Sequence, residues 1–377
     1  MSKESYEHKL YKHCEEKEAD AVAWAFVNKE KMVKFPFKFP KLLPNELRAN
    51  ILYAGLCHSD VLTVREQWGP AMFPLAPGHE IVAEVSEVGS EVKDYKKGDL
   101  VGFGTMRDCC HKCKYCKAGD EELCTGAEEP FTYGFHWGGY ATAIQQPAEF
   151  FFHLPKEFDI SKGAPLFCAG ATTYRPMSLY LKPGMNTAVI GFGGLGHLAV
   201  QFLKKLGHEV SVFTSTNSKE ALIKKLGGDH IILSTDNKQM EDAKGKFDFI
   251  INTVPTAKGF DKYFASVAKG GYFVQIGQPA LDDSNIGCTC WDLVVKEVKL
   301  VGSCVAPRHT IKDMVKICVD KKVYPMVEEF SFEDFPKAFE KLEKENHNLD
   351  VLLIVVNMLR NTVCLNKIFY LKFFYYF

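Results

Sequence analysis

At 377 residues, with 46% apolar and 25% charged residues, the chain has ordinary globular composition and is long enough for about two domains with sizeable cores. Its formal net charge of −1 gives no long-range field to recruit nucleic acid or an anionic membrane, and no stretch approaches the ~20 apolar residues that a membrane-spanning helix needs. The opening segment, MSKESYEHKLYKHCEEKEAD, mixes charges of both signs without an apolar core and predicts no secretion signal. The thirteen cysteines are therefore expected as thiols or metal ligands in a reducing, cytoplasmic compartment.

To about residue 171 the chain reads as short strands broken by Gly and Pro, at 47–52, 81–88 and 100–102, which predicts a β-rich domain. Beyond Pro183 the texture changes. A short apolar strand at 187–190 runs into a glycine turn and then a helix. In that helix Leu195, Leu198, Ala199, Phe202, Leu203 and Leu206 form one apolar face at i, i+3, i+4, i+7 spacing. Strands follow at 210–213, 230–233, 247–251, 272–276 and 299–304, with helices near 219–226 and 260–268. This alternation predicts a parallel, doubly wound sheet, the Rossmann arrangement. A helix at 310–320 and a strand at 351–356 close the pattern. The paired lysines Lys204-Lys205 and Lys224-Lys225 read as solvated helix faces. Residues 357–377 are aromatic-rich without a period. They are expected to be a poorly ordered tail or an incorrect gene end rather than a dimer-packing or membrane-surface segment.

Three motifs carry chemistry. Cys110, Cys113, Cys116 and Cys124 follow C-x2-C-x2-C-x7-C, a spacing that lets one short lobe wrap a tetrahedral structural zinc. Lys112, Lys114 and Lys117, interleaved among them, are expected to favour thiolates. Cys109 is adjacent but out of register, a spare thiol; the bland alternative for the whole lobe is a set of unrelated buried thiols. Gly191-Phe192-Gly193-Gly194-Leu195-Gly196 directly follows a strand and opens a helix, the context in which such a turn cradles a dinucleotide pyrophosphate rather than serving structure alone. At the end of the next strand an NAD site places an acid, but this chain reads Thr214-Ser215-Thr216-Asn217-Ser218-Lys219. Hydroxyls and a lysine suit the extra phosphate of NADP, and Ser218 could equally be a helix cap. The third constellation is dispersed: Cys57-His58-Ser59-Asp60, Gly78-His79-Glu80 and Cys168. Spacing alone does not prove that it converges, although Cys2His with an open fourth position is a known catalytic zinc set.

With GLCHSD (55–60), PGHE (77–80), the cysteine lobe, PLFCAGATTY (165–174), GFGGLGHLAV (191–200) and the Ser/Thr-Lys segment (214–219), the chain resembles the zinc-containing medium-chain alcohol dehydrogenases. Within them it resembles the cinnamyl-alcohol-dehydrogenase-like aldehyde reductases, over roughly 22–356. The resemblance implies an α/β protein: a GroES-like β-rich catalytic domain (1–170 and 306–356), a Rossmann NADP-binding domain (171–305), and the atypical tail. It implies Cys57, His79 and Cys168 as ligands of a catalytic zinc with Glu80 as an alternate ligand, and the four-cysteine lobe as a second zinc site. Ser59 would be the proton-relaying hydroxyl, Asp60 the carboxylate that orients the histidine, and Thr172 a neighbour of the nicotinamide. Gly191, Gly193, Gly194, Leu195, Gly196, Ser215, Thr216 and Lys219 would bind the cofactor. The implied reaction is hydride transfer between NADPH and the carbonyl carbon of an aldehyde, in a homodimer joined through the edge of the nucleotide-binding sheet, with no nucleic-acid or membrane partner. A polyol (sorbitol-type) dehydrogenase, a non-catalytic nucleotide-binding relative and a zinc-ribbon nucleic-acid binder are the competing readings.

The sequence departs from the family pattern at three places. Leu62 stands where a relay histidine is usual, so the relay is expected to end in water or the ribose hydroxyl. Ala83 replaces a usual glycine. The segment between Cys124 and Gly138 is short against plant-type relatives. Trp68 and Trp137 are candidates to line the substrate pocket.

Overall fold

In the computed structural model, residues 12–127, 131–132, 137–256, 259–283, 286–345 and 352–356 are described, and among them three sheets carry the chain. The tail at 357–377 lies outside the described residues.

The second half of the sequence supplies a six-stranded sheet in the order His230–Leu233, Val210–Thr214, Thr187–Ile190, Phe247–Asn252, Val267–Gln275, Lys299–Gly302. Every pair in it is parallel. Parallel neighbours require crossovers, and the strand order reverses beside Thr187–Ile190, the switch point at which doubly wound sheets bind ligands. The helix Gly194–Lys205 covers one face and buries Leu198, Ala199, Phe202 and Leu203 completely, each large side chain contributing about 1.5–3 kcal/mol through removal from water. The expected helix at 260–268 is shorter: it ends at Phe264, and Val267 already pairs with Phe247 in the sheet. The apolar side chains from Ala265 onward are recruited by the ladder rather than by the helix.

The first half builds a seven-stranded, mostly antiparallel sheet around the long strand Glu46–Leu56, which pairs with Ile81–Val88 on one side. Its other neighbours are Ala143–Pro147 along its first part and Leu352–Val356 along its last. Leu352–Val356 in turn pairs in parallel with Val327–Ser331, so the C-terminal segment returns to the sheet of the first half. A three-stranded sheet of Lys12–His13, Met32–Lys38 and Ala21–Phe26 lies beside it. Of the helices absent from the sequence-based expectation, the two longest are Ala169–Tyr180 and Phe335–Glu345.

Candidate functional site

The dispersed constellation converges. Cys57 ends the stretch that continues the Glu46–Leu56 strand and caps the short helix His58–Val64. His79 and Glu80 immediately precede Ile81–Val88, the neighbouring strand, and Cys168 precedes the Ala169–Tyr180 helix. One donor atom from each of Cys57, His79, Glu80 and Cys168 lies within 4.8 Å of all the others. Asp60, fully buried on the first turn of its helix, organises the set: its Oδ1 lies 3.0 Å from His79 Nδ1 and accepts a 3.0 Å bond from the Gly78 amide, while Oδ2 accepts a 2.6 Å bond from Tyr140 OH. That contact places the proton of a neutral His79 on Nδ1 and turns Nε2 toward the two sulfurs. Tyr140 was invisible as a site residue in the sequence, because a Gly-Gly-Tyr segment carries no metal signature.

The charges in this pocket are strongly coupled. Cys57 is drawn well below the ordinary thiol range, first by the hydrogen bond from Cys168, and Cys168 is pushed well up by the same bond and by burial. Burial alone would depress His79, but the Asp60 charge and hydrogen bond outweigh it and hold the imidazole well above its usual value. Burial, then the charge on Cys57, pushes the Glu80 carboxyl well up. Glu80 Oε2 is buried with no hydrogen-bond partner among the described residues, and the room it occupies exists because Gly55 has no side chain: a Cβ there would stand 2.0 Å from that oxygen. Two sulfurs, an oriented imidazole and an unsatisfied carboxylate oxygen in one buried pocket make a donor set whose chemistry fits a zinc ion.

The four-cysteine lobe is local and closed. Its Sγ atoms lie within 4.8 Å of one another, with contacts of 3.5 Å for Cys113–Cys116 and 4.0 Å for Cys110–Cys116 and Cys113–Cys124. Sulfurs bound at about 2.3 Å to a tetrahedral zinc sit about 3.8 Å apart, so this set fits the metal too. The lysines were expected to favour thiolates, but backbone amides do so instead. Cys113 is lowered to about 5, first by the Cys116 and Thr125 amides, and Cys110 is lowered first by the Lys112 amide. Lys114 instead rests over the Tyr115 ring, 4.8 Å from its centroid.

A cleft of about 1110 Å³ joins the Cys57 pocket to the glycine turn. Ser59 and Thr172 line it, as do Leu62, Trp68, Thr105 and Leu123. Gly191, Gly193, Gly194 and Leu195 line its other end, as do Ser215, Thr216 and Lys219. Gly191 takes the turn at φ +85°, and a Cβ on Gly196 would stand 2.2 Å from the Gly191 carbonyl oxygen, so the helix and the turn close only on a bare backbone. Thr216 accepts from the Ser218 amide, which makes Thr216, not Ser218, the cap. Lys219 reaches to 3.4 Å of the Phe192 carbonyl. Glu80 is the single acid among the described residues lining the cleft. A second depression, of about 690 Å³, lies at the opposite, amino ends of the strands, by Thr187, Ser211 and His230, away from the switch point.

Of the two tryptophans expected in the pocket, Trp68 lines it and donates to the Pro279 carbonyl across the cleft. Trp137 does not: it is buried edge-on against Phe35 and Phe37 and donates to Pro74, so its ring serves the core of the first half. Leu62 is buried at the cleft wall.

Comparison with known proteins agrees with this geometry. The alcohol dehydrogenase GroES-like domain family matches residues 43–156 and the zinc-binding dehydrogenase family matches 194–320. Aldehyde reductase AdhA of Synechocystis sp. is 36% identical over 324 residues, 86% of this chain and 95% of that protein. NADP-dependent alcohol dehydrogenase C 1 of Mycolicibacterium smegmatis is 34% identical over 307 residues, 79% of this chain and 87% of that protein. The crystal structure of a cinnamyl alcohol dehydrogenase from Helicobacter pylori complexed with NADP(H) superposes with a TM-score of 0.81 at 30% identity, covering 89% of this chain and 97% of that one.

Proposed function

Since the chain belongs to the zinc-containing medium-chain alcohol dehydrogenase family, we propose that it acts as an NADPH-dependent aldehyde reductase, running in reverse as an alcohol dehydrogenase. The observation that carries this reading is the single cleft with the Cys57, His79 and Cys168 donors at one end and the glycine turn with Lys219 at the other. Cys57, His79 and Cys168 hold a catalytic zinc, with Glu80 as alternate ligand, and Cys110, Cys113, Cys116 and Cys124 hold a structural one, two per chain. When bound, the zinc supplies Lewis-acid polarisation of the substrate oxygen and NADPH supplies the hydride.

The chain's own residues do the rest. Asp60 fixes the ring of His79. Ser59, on the first turn of its helix and facing the cleft, holds at its Oγ the proton that the substrate oxygen receives. Leu62 keeps the next position apolar, so that proton is replenished from water in the cleft. The backbone of 191–196 holds the pyrophosphate, and Ser215, Thr216 and Lys219 hold the 2′-phosphate, which no acid among the described residues lining that end of the cleft repels. Thr172 borders the nicotinamide. Trp68, Leu62 and Leu123 give the substrate end an apolar lining that suits medium aliphatic or aromatic aldehydes. A polyol dehydrogenase and a non-catalytic nucleotide binder are not favoured, since both zinc donor sets are complete.

We assign residues 1–170 and 306–356 to the catalytic domain and 171–305 to the cofactor domain. A homodimer through Lys299–Gly302, the outermost strand of the parallel sheet, is supported by the exposure of Trp291 and Val294 just before it, 66% and 73%. A cytoplasmic setting is supported by the unbridged state of every described cysteine. The deciding experiment is cofactor oxidation against a panel of aliphatic and aromatic aldehydes, with NADPH and NADH in parallel. At least a tenfold preference for NADPH in kcat/KM is expected, and a preference for NADH overturns the assignment of Lys219 and its neighbours.

A further inference from the structure

Cys109 stands outside the four-sulfur register, and neither zinc set uses it. In the structure its side chain touches Cys116 at the edge of the lobe, and on its other side it meets a histidine and, through it, a carboxylate. Its buried Sγ lies 3.5 Å from Nδ1 and 3.6 Å from Nε2 of His111, and His111 Nε2 lies 3.1 Å from Glu149 Oε1. We propose that Cys109, His111 and Glu149 form a further divalent-metal site, of the zinc type, separate from the catalytic set and the four-cysteine lobe.

Four observations carry it. A zinc with sulfur at about 2.3 Å and nitrogen and oxygen at about 2.0–2.2 Å in tetrahedral array sets its ligand atoms about 3.3–3.6 Å apart. The Sγ–Nε2 and Nε2–Oε1 separations stand within a few tenths of an ångström of that, one donor atom from each residue lies within 4.8 Å of the other two, and, because Sγ stands about equally near both ring nitrogens, a turn of the exposed His111 ring is what aims Nε2 at a shared ion. The carboxylate is already oriented: Glu149 Oε2 accepts a 2.6 Å bond from Arg308, which leaves Oε1 turned to the histidine, as an outer partner orients a ligand in metal sites. The charges balance. Arg308 is matched by Glu121, at 3.0 Å from Nε and 2.9 Å from the second terminal nitrogen, so the dication meets one thiolate and one carboxylate. Finally, His111 holds φ +56°, a conformation sparsely used by non-glycine residues and kept where the surroundings demand it.

A sulfur, nitrogen and oxygen donor set selects a borderline-soft cation such as Zn2+ over Mg2+ or Ca2+. Cys109 is 5% exposed, whereas the His111 and Glu149 side chains are 57% and 35% exposed, so the site faces solvent on one side and keeps its fourth position open to water. Bound metal there ties the lobe to the turn Ala148–Phe150 and, through Arg308, to the start of the Arg308–Lys321 helix. Its effect is therefore on stability rather than on turnover.

The test is metal content by mass spectrometry. The holoenzyme and its His111→Asn, Glu149→Gln and Cys109→Ser variants are equilibrated with micromolar Zn2+ and desalted; asparagine tolerates the left-handed turn, so the lobe keeps its backbone. The wild type is expected to carry one zinc equivalent more than each variant, while the remaining zinc and the aldehyde-dependent NADPH oxidation stay unchanged. A Cd2+ titration is expected to give one extra equivalent of thiolate charge-transfer absorbance that Cys109→Ser lacks. Equal metal content in wild type and His111→Asn, or an extra equivalent that survives in Cys109→Ser, overturns the proposal. The readout does not depend on which aldehyde, if any, the enzyme reduces.

Discussion

The four-cysteine lobe and the Cys57 pocket use the same kind of ligand in opposite ways. In the lobe all four donors fall between Cys110 and Cys124, so a short loop closes on itself at small entropic cost, and backbone amides favour the thiolates of Cys110 and Cys113. A zinc held there would have all four positions filled by sulfur, which leaves nothing for a substrate. In the pocket the donors come from three separate segments, and the pocket is formed only when the Glu46–Leu56 and Ile81–Val88 strands pair and the Ala169–Tyr180 helix is in place. Three donors and an unsatisfied carboxylate oxygen leave room for chemistry. A metal that organises its own loop is legible in residue spacing, and one that the fold must assemble is not.

Mutation separates the two most sharply at the ligands. Cys57→Ala or His79→Ala is expected to lower kcat by about a thousandfold or more with a near-native melting temperature, since several kcal/mol of oxygen polarisation is lost. Cys110→Ala is expected to lower the thermal midpoint by on the order of 10 °C while the protein that remains folded keeps its kcat. Finding the opposite pairing, a heat-labile Cys57 variant and an inactive but stable Cys110 variant, would break the comparison.

A pH titration measures a stability contribution that belongs to neither metal set. His197, on the helix Gly194–Lys205, is almost wholly buried; it donates from Nδ1 to the Gly193 carbonyl and accepts at Nε2 from the Met326 amide. Burial lowers it to about 4. Because the folded value lies below the unfolded value of 6.5, the unfolded chain binds the extra proton, so this contribution is full above about pH 6.5 and drains as pH falls to about 4. The total is about 3 kcal/mol, and His197→Gln should flatten urea-derived stability between those limits. An unchanged slope in the variant would reassign the acid sensitivity to the metal sites.

The smallest expected effect is that of Asp60→Asn. Loss of the charge that orients His79 should cost about 10–100-fold in kcat/KM or in retention of the catalytic metal, with the lobe's metal untouched. Equal loss from both sites would show that the pocket and the lobe are not independent.

What could be read in advance follows the same division. The strands at 187–190 and 230–233 and the helix after the glycine turn stand where the periodicity puts them, since local pattern and tertiary burial agree there. Ala169–Tyr180 is not legible in the sequence because nearly every residue of its first three turns is buried, so it has no polar face to give a period, and Pro176 lies inside it. Phe335–Glu345 had a readable stripe in Phe335, Ala338, Phe339 and Leu342, all buried, and was passed over. Asp60 and Ser59 came from resemblance. Tyr140 and Arg308 came only from the structure, because a hydrogen bond across the sheet or between helix and turn leaves no trace in spacing.

The return of Leu352–Val356 to the strand that leads into Cys57 sets an order on biosynthesis. Thr187 to Gly302 is an unbroken stretch, so the parallel sheet can be complete while the C-terminal residues are still inside the ribosome. The half made first is finished last: Ala54, Gly55 and Leu56 wait with an open strand edge for Val355, Ile354 and Leu353. Leu352 also packs 2.5 Å from where a Cβ on Gly194 would stand, so the strand that seals the first half also touches the glycine turn. A nascent chain released before residue 352 would therefore carry a finished parallel sheet beside an unsealed Cys57 pocket.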